Sequence, residues 1–87
     1  MKRLTIRVRG RVQNVWFRRS AKDLADELDI CGWARNDPDE SVTIEAEGDA
    51  GAVSRFLTWC ESGPIDARVE EVEHMEIPIQ GDLDFRV

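Results

Sequence analysis

The hydrophobic period of this chain switches from two residues to about 3.6 and back again, twice over, and that order leaves few folds open. In "RLTIRVR", Leu4, Ile6 and Val8 share one side of an extended segment while Arg3, Thr5, Arg7 and Arg9 take the other, as in a half-buried strand with a solvated basic face. "FRRSAKDLADELDI" then places Phe17, Ala21, Leu24, Ala25 and Leu28 at steps of three and four, one face of an amphipathic helix. "CGWARN" and "SVTIEAEG" return to the extended pattern, with Val42, Ile44 and Ala46 facing inward; "DPDE", with Pro at its second position, joins them as a hairpin turn. Asp49 is placed to cap a second helix, in which Val53, Phe56, Leu57 and Cys60 form one face before Gly63-Pro64 ends it.

"ARVEEVEHMEIPI" is a further strand whose alternation slips between Val69 and Val72, which predicts a bulge near Glu71. "DLDFRV" closes the chain as a short strand with Leu83, Phe85 and Val87 in phase. The order β-α-β-β-α-β plus a short fifth strand predicts an α+β, ferredoxin-like sandwich: an antiparallel sheet with both helices on one face. With 87 residues, the chain suits a single domain over residues 1–87. The Glu-rich run from Glu70 to Glu76 is suited to guarding an exposed sheet edge.

Composition narrows the setting. A hydrophobic fraction of 41% suits a packed core and argues against disorder. No apolar run is long enough to span a membrane, and the first residues lack the apolar stretch of a signal peptide. Cys31 and Cys60, with a single histidine, make neither a zinc framework nor a disulfide scaffold, so free thiols in a reducing cytoplasm are expected. His74 is read as an exposed strand residue, Met75 as a packing residue of the same strand, and Trp33 and Trp59 as packing residues.

Charge points to a site. The net charge is -6, yet residues 1–19 carry seven basic groups and no acid. The acidic remainder disfavours a long polyanion such as nucleic acid and leaves a small anion as the better partner. The bend "VRGRVQNVWFRRS" joins the first strand to the first helix. The N–H groups that open a helix, with its dipole, are suited to an anion. Gly10 allows a sharp turn and Asn14 tolerates a left-handed backbone. Arg18, in the first helical turn, could grip phosphate through two parallel hydrogen bonds, or simply be solvated. Asn36, at the end of the second strand, either starts the turn before Pro38 or faces the loop and orients a water with its amide. Trp16 is either a pocket wall or a buried ring.

Two stretches resemble the signatures of the acylphosphatases. "GRVQNVWFR" follows G-x-V-Q-G-V-x-F-R at Gly10, Val12, Gln13, Val15, Phe17 and Arg18; "GWARNDPDESVTIEAEG" follows G-W-x-x-N-x-x-x-G-x-V and a later Gly at Gly32, Trp33, Asn36, Val42 and Gly48. The resemblance covers nearly the whole chain. It implies hydrolysis of the carboxyl–phosphate bond in small acyl phosphates, with Arg18 binding phosphate and Asn36 orienting the attacking water. Loop residues Gly10, Val12, Gln13, Asn14, Val15, Trp16 and Phe17 would form the substrate cradle, and neither a metal nor another cofactor is implied. A monomer without nucleic-acid or membrane partners is expected. Asn14 and Glu40 stand where the family signatures have glycine, and they are the basis of the rival reading, a non-catalytic relative that binds phosphate or a partner protein. A second rival, an RNA-binding module of the same plan, lacks the aromatic platform such modules need on their central strands.

Overall fold

The computed structural model describes residues 1–87. In chain order the elements are β1 (Lys2–Arg11), α1 (Phe17–Glu27), β2 (Cys31–Asn36), β3 (Val42–Gly48), α2 (Ala50–Cys60), β4 (Arg68–Ile77) and β5 (Phe85–Arg86). They build one five-stranded sheet in the order β4-β1-β3-β2-β5. Leu4, Ile6 and Val8 of β1, Val42, Ile44 and Ala46 of β3 and Ala34 of β2 meet Phe17, Ala21 and Ala25 of α1 and Val53, Phe56 and Cys60 of α2 in a single core. The alternating strand residues and the helical stripes read from the sequence are thus the two sides of one buried layer. Trp59 packs beside it, its ring centroid 5.1 Å from Phe17 and 6.0 Å from Phe56. No helix is long and apolar enough to cross a membrane.

Local chemistry explains where α1 ends and where β4 bulges. α1 stops at Glu27 because Asp29 turns left-handed at φ 56°. Ile30 N then donates to Ala25 O and Asp29 N to Asp26 O, the paired bonds that close a helix C-terminus. Asp49 sits at the N-cap of α2 with an extended backbone, but its side chain makes no capping bond. The slip anticipated near Glu71 is real: Arg9 pairs with Glu71 and Gly10 with Val69, leaving Glu70 as the extra residue. Gly10 serves that bulge rather than a turn. β1 continues to Arg11, and at Gly10, with φ 127°, an added Cβ would lie 2.2 Å from Arg68 O of β4.

Four expectations are corrected. The sheet is mixed, because β5 runs parallel to β2, pairing Gly32 with Phe85 and Trp33 with Arg86. The last strand shrinks to two residues; Phe85 is buried, but Leu83 is 95% exposed. Met75 points to solvent from edge strand β4 and does not pack. Arg3 is fully buried instead of solvated: Glu45 lies 2.7 Å away, Glu47 3.0 Å and Asp82 3.1 Å. A buried residue in the basic phase of the alternation was invisible to periodicity, since its partners come from β3 and from a loop far along the chain.

Candidate active site

The strand order fixes where the two signature stretches meet. β1 and β2 are both antiparallel to β3, so they run in the same direction and end at the same rim of the sheet. β3 lies between them, so β2 is one strand removed from β1. In the cross-strand row Val8-Val42-Asn36, Val8 and Val42 face the helices. Asn36 is in phase with buried Ala34 and so projects to the same face, just beyond the covered core. That is where α1 begins.

The loop between β1 and α1 presents its backbone as a donor cradle. The first helical bond of α1 is Ser20 N to Trp16 O, and no protein acceptor receives the amide N–H groups of residues 14–19. Two residues make this path possible by adopting left-handed backbone, Asn14 at φ 61° and Trp16 at φ 64°. Asn14 therefore holds the conformation for which glycine is usual. Buried Val12, Val15 and Phe17 pin the loop to the core, and Gln13 Nε2 donates to Asp37 O and Ser41 O of the hairpin turn.

A cleft of about 530 Å³ opens here, lined by Val12, Asn14, Trp16, Phe17, Arg18, Arg19, Asn36 and Val87. Arg18 has no carboxylate within salt-bridge distance, whereas Arg19 lies 3.7 Å from Asp23. The first turn of α1 carries no acid. Two arginines at the positive end of a helix dipole oppose its preference, and a bound anion would relieve that conflict. The Asn36 amide has no protein partner, so its donor and acceptor are free to bind. Trp16 is 75% exposed, which decides against a buried ring and makes it a wall of the cleft.

The structure thus brings Val12, Asn14, Trp16, Phe17, Arg18 and Asn36 to one cleft. Gly10, Gln13 and Val15 do not line it: Gly10 meets β4, Val15 is in the core, and the Gln13 amide is spent on the hairpin. Arg19 and Val87 were not anticipated there. Val87 follows β5 toward the rim because β5 is parallel to β2, a pairing that strand periodicity cannot reveal.

The hairpin turn is held by carboxylates. The Asp37 carboxylate accepts from Thr43 Oγ1, from Arg35 Nε at 3.0 Å and from Ser41 Oγ at 3.0 Å. Partial burial pushes its pKa up, but those donors together outweigh it and hold it below the usual carboxylate range. Asp39 accepts from the Ser41 hydroxyl and backbone N–H and from Arg9 Nη1, which lowers its pKa to about 2. Glu40, with φ 73°, completes the turn in left-handed backbone, so the second departure from the signature also keeps the conformation glycine would take.

Residues 4–87 match the acylphosphatase family model. The chain belongs to the acylphosphatase family. An acylphosphatase of Methylococcus capsulatus is 48% identical over 83 residues, covering 95% of this chain and 90% of that protein. One from Rubrobacter xylanophilus is 49% identical over 80 residues, covering 92% and 73% respectively. The crystal structure of acylphosphatase from Bacillus subtilis superposes with a TM-score of 0.96 at 32% identity, over 100% of this chain and 98% of that one. The activity that goes with this family membership is hydrolysis of acyl phosphates, and the enzyme reading holds over the non-catalytic one.

Proposed function

We propose that this acylphosphatase works by direct attack of water on a phosphoryl group seated in the loop between β1 and α1. The observation that carries the proposal is the convergence of three unpartnered features on one cleft: the loop amides, the Arg18 guanidinium and the Asn36 amide. The amides and the dipole of α1 bind the phosphoryl oxygens, and Arg18 clamps two of them. The Asn36 amide accepts from a water and aims its oxygen at phosphorus, opposite the acyl oxygen. Trp16 and Val87 border the side left for the acyl group.

In the reaction the water oxygen bonds to phosphorus while the bond from phosphorus to the carboxyl oxygen breaks. The bonding pair leaves with the carboxylate. Both water protons end on phosphate, the second transferred to a phosphoryl oxygen, so a dianionic acyl phosphate and water give a carboxylate and dihydrogen phosphate. A carboxylate is a weakly basic leaving group and needs no acid to protonate it. The chain's task is to position the reactants and to stabilise charge, and this requires neither a metal nor a covalent enzyme intermediate.

The reading extends to a monomer in a reducing cytoplasm, acting on small-molecule acyl phosphates without nucleic-acid or membrane partners. In support, Cys31 and Cys60 are unbonded, and burial pushes both thiols up, away from the reactive form. Central strands β1 and β3 present Thr5, Arg7, Thr43 and Glu45 on the open face, with no aromatic platform for bases.

The test is turnover of benzoyl phosphate without added metal, with inorganic phosphate as competitor. Arg18→Ala and Asn36→Ala should each lower kcat/KM by about a hundredfold or more. Arg18→Ala should also weaken phosphate inhibition, while Asn36→Ala should leave it nearly intact. Unchanged turnover in both folded variants would remove these roles.

A further inference from the structure

The two halves of the site stand on different elements, and a single side chain bolts them together. The cradle and Arg18 belong to residues 12–19; Asn36 ends β2. Gln13 Nε2 donates to Asp37 O at 2.9 Å and to Ser41 O at 2.9 Å, so both its amide protons are committed to the turn that begins one residue after Asn36. No other hydrogen bond or salt bridge joins residues 12–19 to residues 36–43.

The acceptors are themselves fixed. Asp37 N donates to Ser41 O at 2.8 Å and Glu40 N to Asp37 O at 3.0 Å, so each carbonyl that Gln13 grips is also a hinge of the turn. Around them the Asp37 carboxylate gathers Thr43, Ser41 and Arg35, and the Asp39 carboxylate gathers Ser41 and Arg9. A rigid turn gripped at two points transmits position; a loose one would not.

Building on the roles given above to Arg18 and Asn36, we propose that Gln13 is a positioning residue that sets the registry between the Asn36-held water and the phosphoryl group in the cradle. It touches neither, and acts through the backbone of the turn. A misplacement of about 1 Å at a reacting centre can cost about a hundredfold in rate, and this clamp spans the one distance that in-line attack requires to be correct. The phosphate cradle does not depend on it, because the amides of residues 14–19 are presented by α1 and by the buried anchors Val15 and Phe17.

The experiment compares Gln13→Ala and Gln13→Glu with wild type in benzoyl phosphate turnover and in competitive inhibition by inorganic phosphate. Arg18→Ala and Asn36→Ala serve as references. In Gln13→Ala, kcat should fall about 10- to 100-fold while the phosphate inhibition constant stays within about twofold. A kcat within threefold of wild type, or a parallel loss of phosphate affinity, overturns the proposal; the latter would make Gln13 part of the cradle.

Gln13→Glu tests the clamp by its chemistry even if the alanine variant folds poorly. An ionised carboxylate faces two carbonyls with no proton to give, whereas a protonated one restores a donor. The surrounding charges, Asp37, Asp39, Arg9 and Arg35, are paired with one another, and both acids titrate below the usual range. The kcat ratio of Gln13→Glu to wild type should therefore rise several-fold from pH 7 to pH 4.5. A flat ratio overturns the clamp. If instead Arg18→Ala and Asn36→Ala retain normal inhibition and turnover, the site assignment itself fails, and the clamp with it.

Discussion

Glu40 carries a side chain in left-handed backbone, with φ 73°, at a place where the family signature has glycine. The conformation costs an L-residue about 1–2 kcal/mol, while glycine regains part of that as extra freedom in the unfolded chain. Glu40→Gly should thus stabilise the fold by about 0.5–1 kcal/mol, visible as a higher urea midpoint at unchanged slope. Turnover should be unaffected, because Glu40 does not line the cleft. A midpoint at or below wild type would mean that the backbone there is unstrained. Residue type and spacing left Arg18 open between a phosphate ligand and a solvated side chain, and Asn36 between a turn residue and a water ligand; the family signatures singled them out, and the structure places both at one cleft. Gln13 was legible as part of a signature but not in its contacts. Its partners are two main-chain carbonyls, which leave no trace in side-chain identity.

The turn that follows Asn36 is braced by two carboxylates, and this makes it acid-sensitive. Asp39 is held to about 2 by the Ser41 hydroxyl and N–H and by Arg9. A pKa depressed in the folded state contributes stability above the unfolded value of about 3.9, and this is lost as pH falls through the folded value. Asp37 is depressed in the same sense by Thr43, Arg35 and Ser41. Wild type should lose Tm between pH 4 and pH 2 more steeply than Asp39→Asn, and the two curves should converge at the acid end. Parallel curves would show that Asp39 is not perturbed. At this scale the sequence yielded the two helices, the four longer strands and the bulge, because each has a hydrophobic period or a defect in one. It did not yield the direction of β5. A two-residue strand has no period, and its pairing is decided by where Phe85 finds room, 5.9 Å from the Phe56 ring.

Across the whole molecule, two clusters of opposite character divide the work. Far from the cleft, Arg3 is surrounded by Glu45, Glu47 and Asp82, and Glu47 also accepts from Gln80 N at 2.8 Å and Gly81 N at 3.0 Å. This ties β1, β3 and the segment leading to β5 into one body. Arg3→Leu would leave three carboxylates facing one another without a cation, and should cost about 3–5 kcal/mol by urea unfolding. A loss below about 1 kcal/mol would mean that the acids simply rotate into water.

At the cleft the imbalance runs the other way: unpaired amides and Arg18 form a positive site that the native fold leaves unneutralised. An anion that binds there must stabilise the whole fold by mass action. At a phosphate concentration a hundred times its Kd the gain is about 2.7 kcal/mol, which for a domain of this size is a rise in Tm of about 10 °C or more. Phosphate also stabilises proteins generally by exclusion from their surface, so sodium chloride at matched ionic strength does not suffice as a control. The discriminating comparison is Arg18→Ala. Its Tm without phosphate should equal or exceed that of wild type, because a cation has been removed from the positive end of α1. Its rise with phosphate should shrink to the few degrees that exclusion provides. An equal rise in both proteins would show that the stabilising phosphate binds elsewhere, and that the cradle is not the anion site on which catalysis rests.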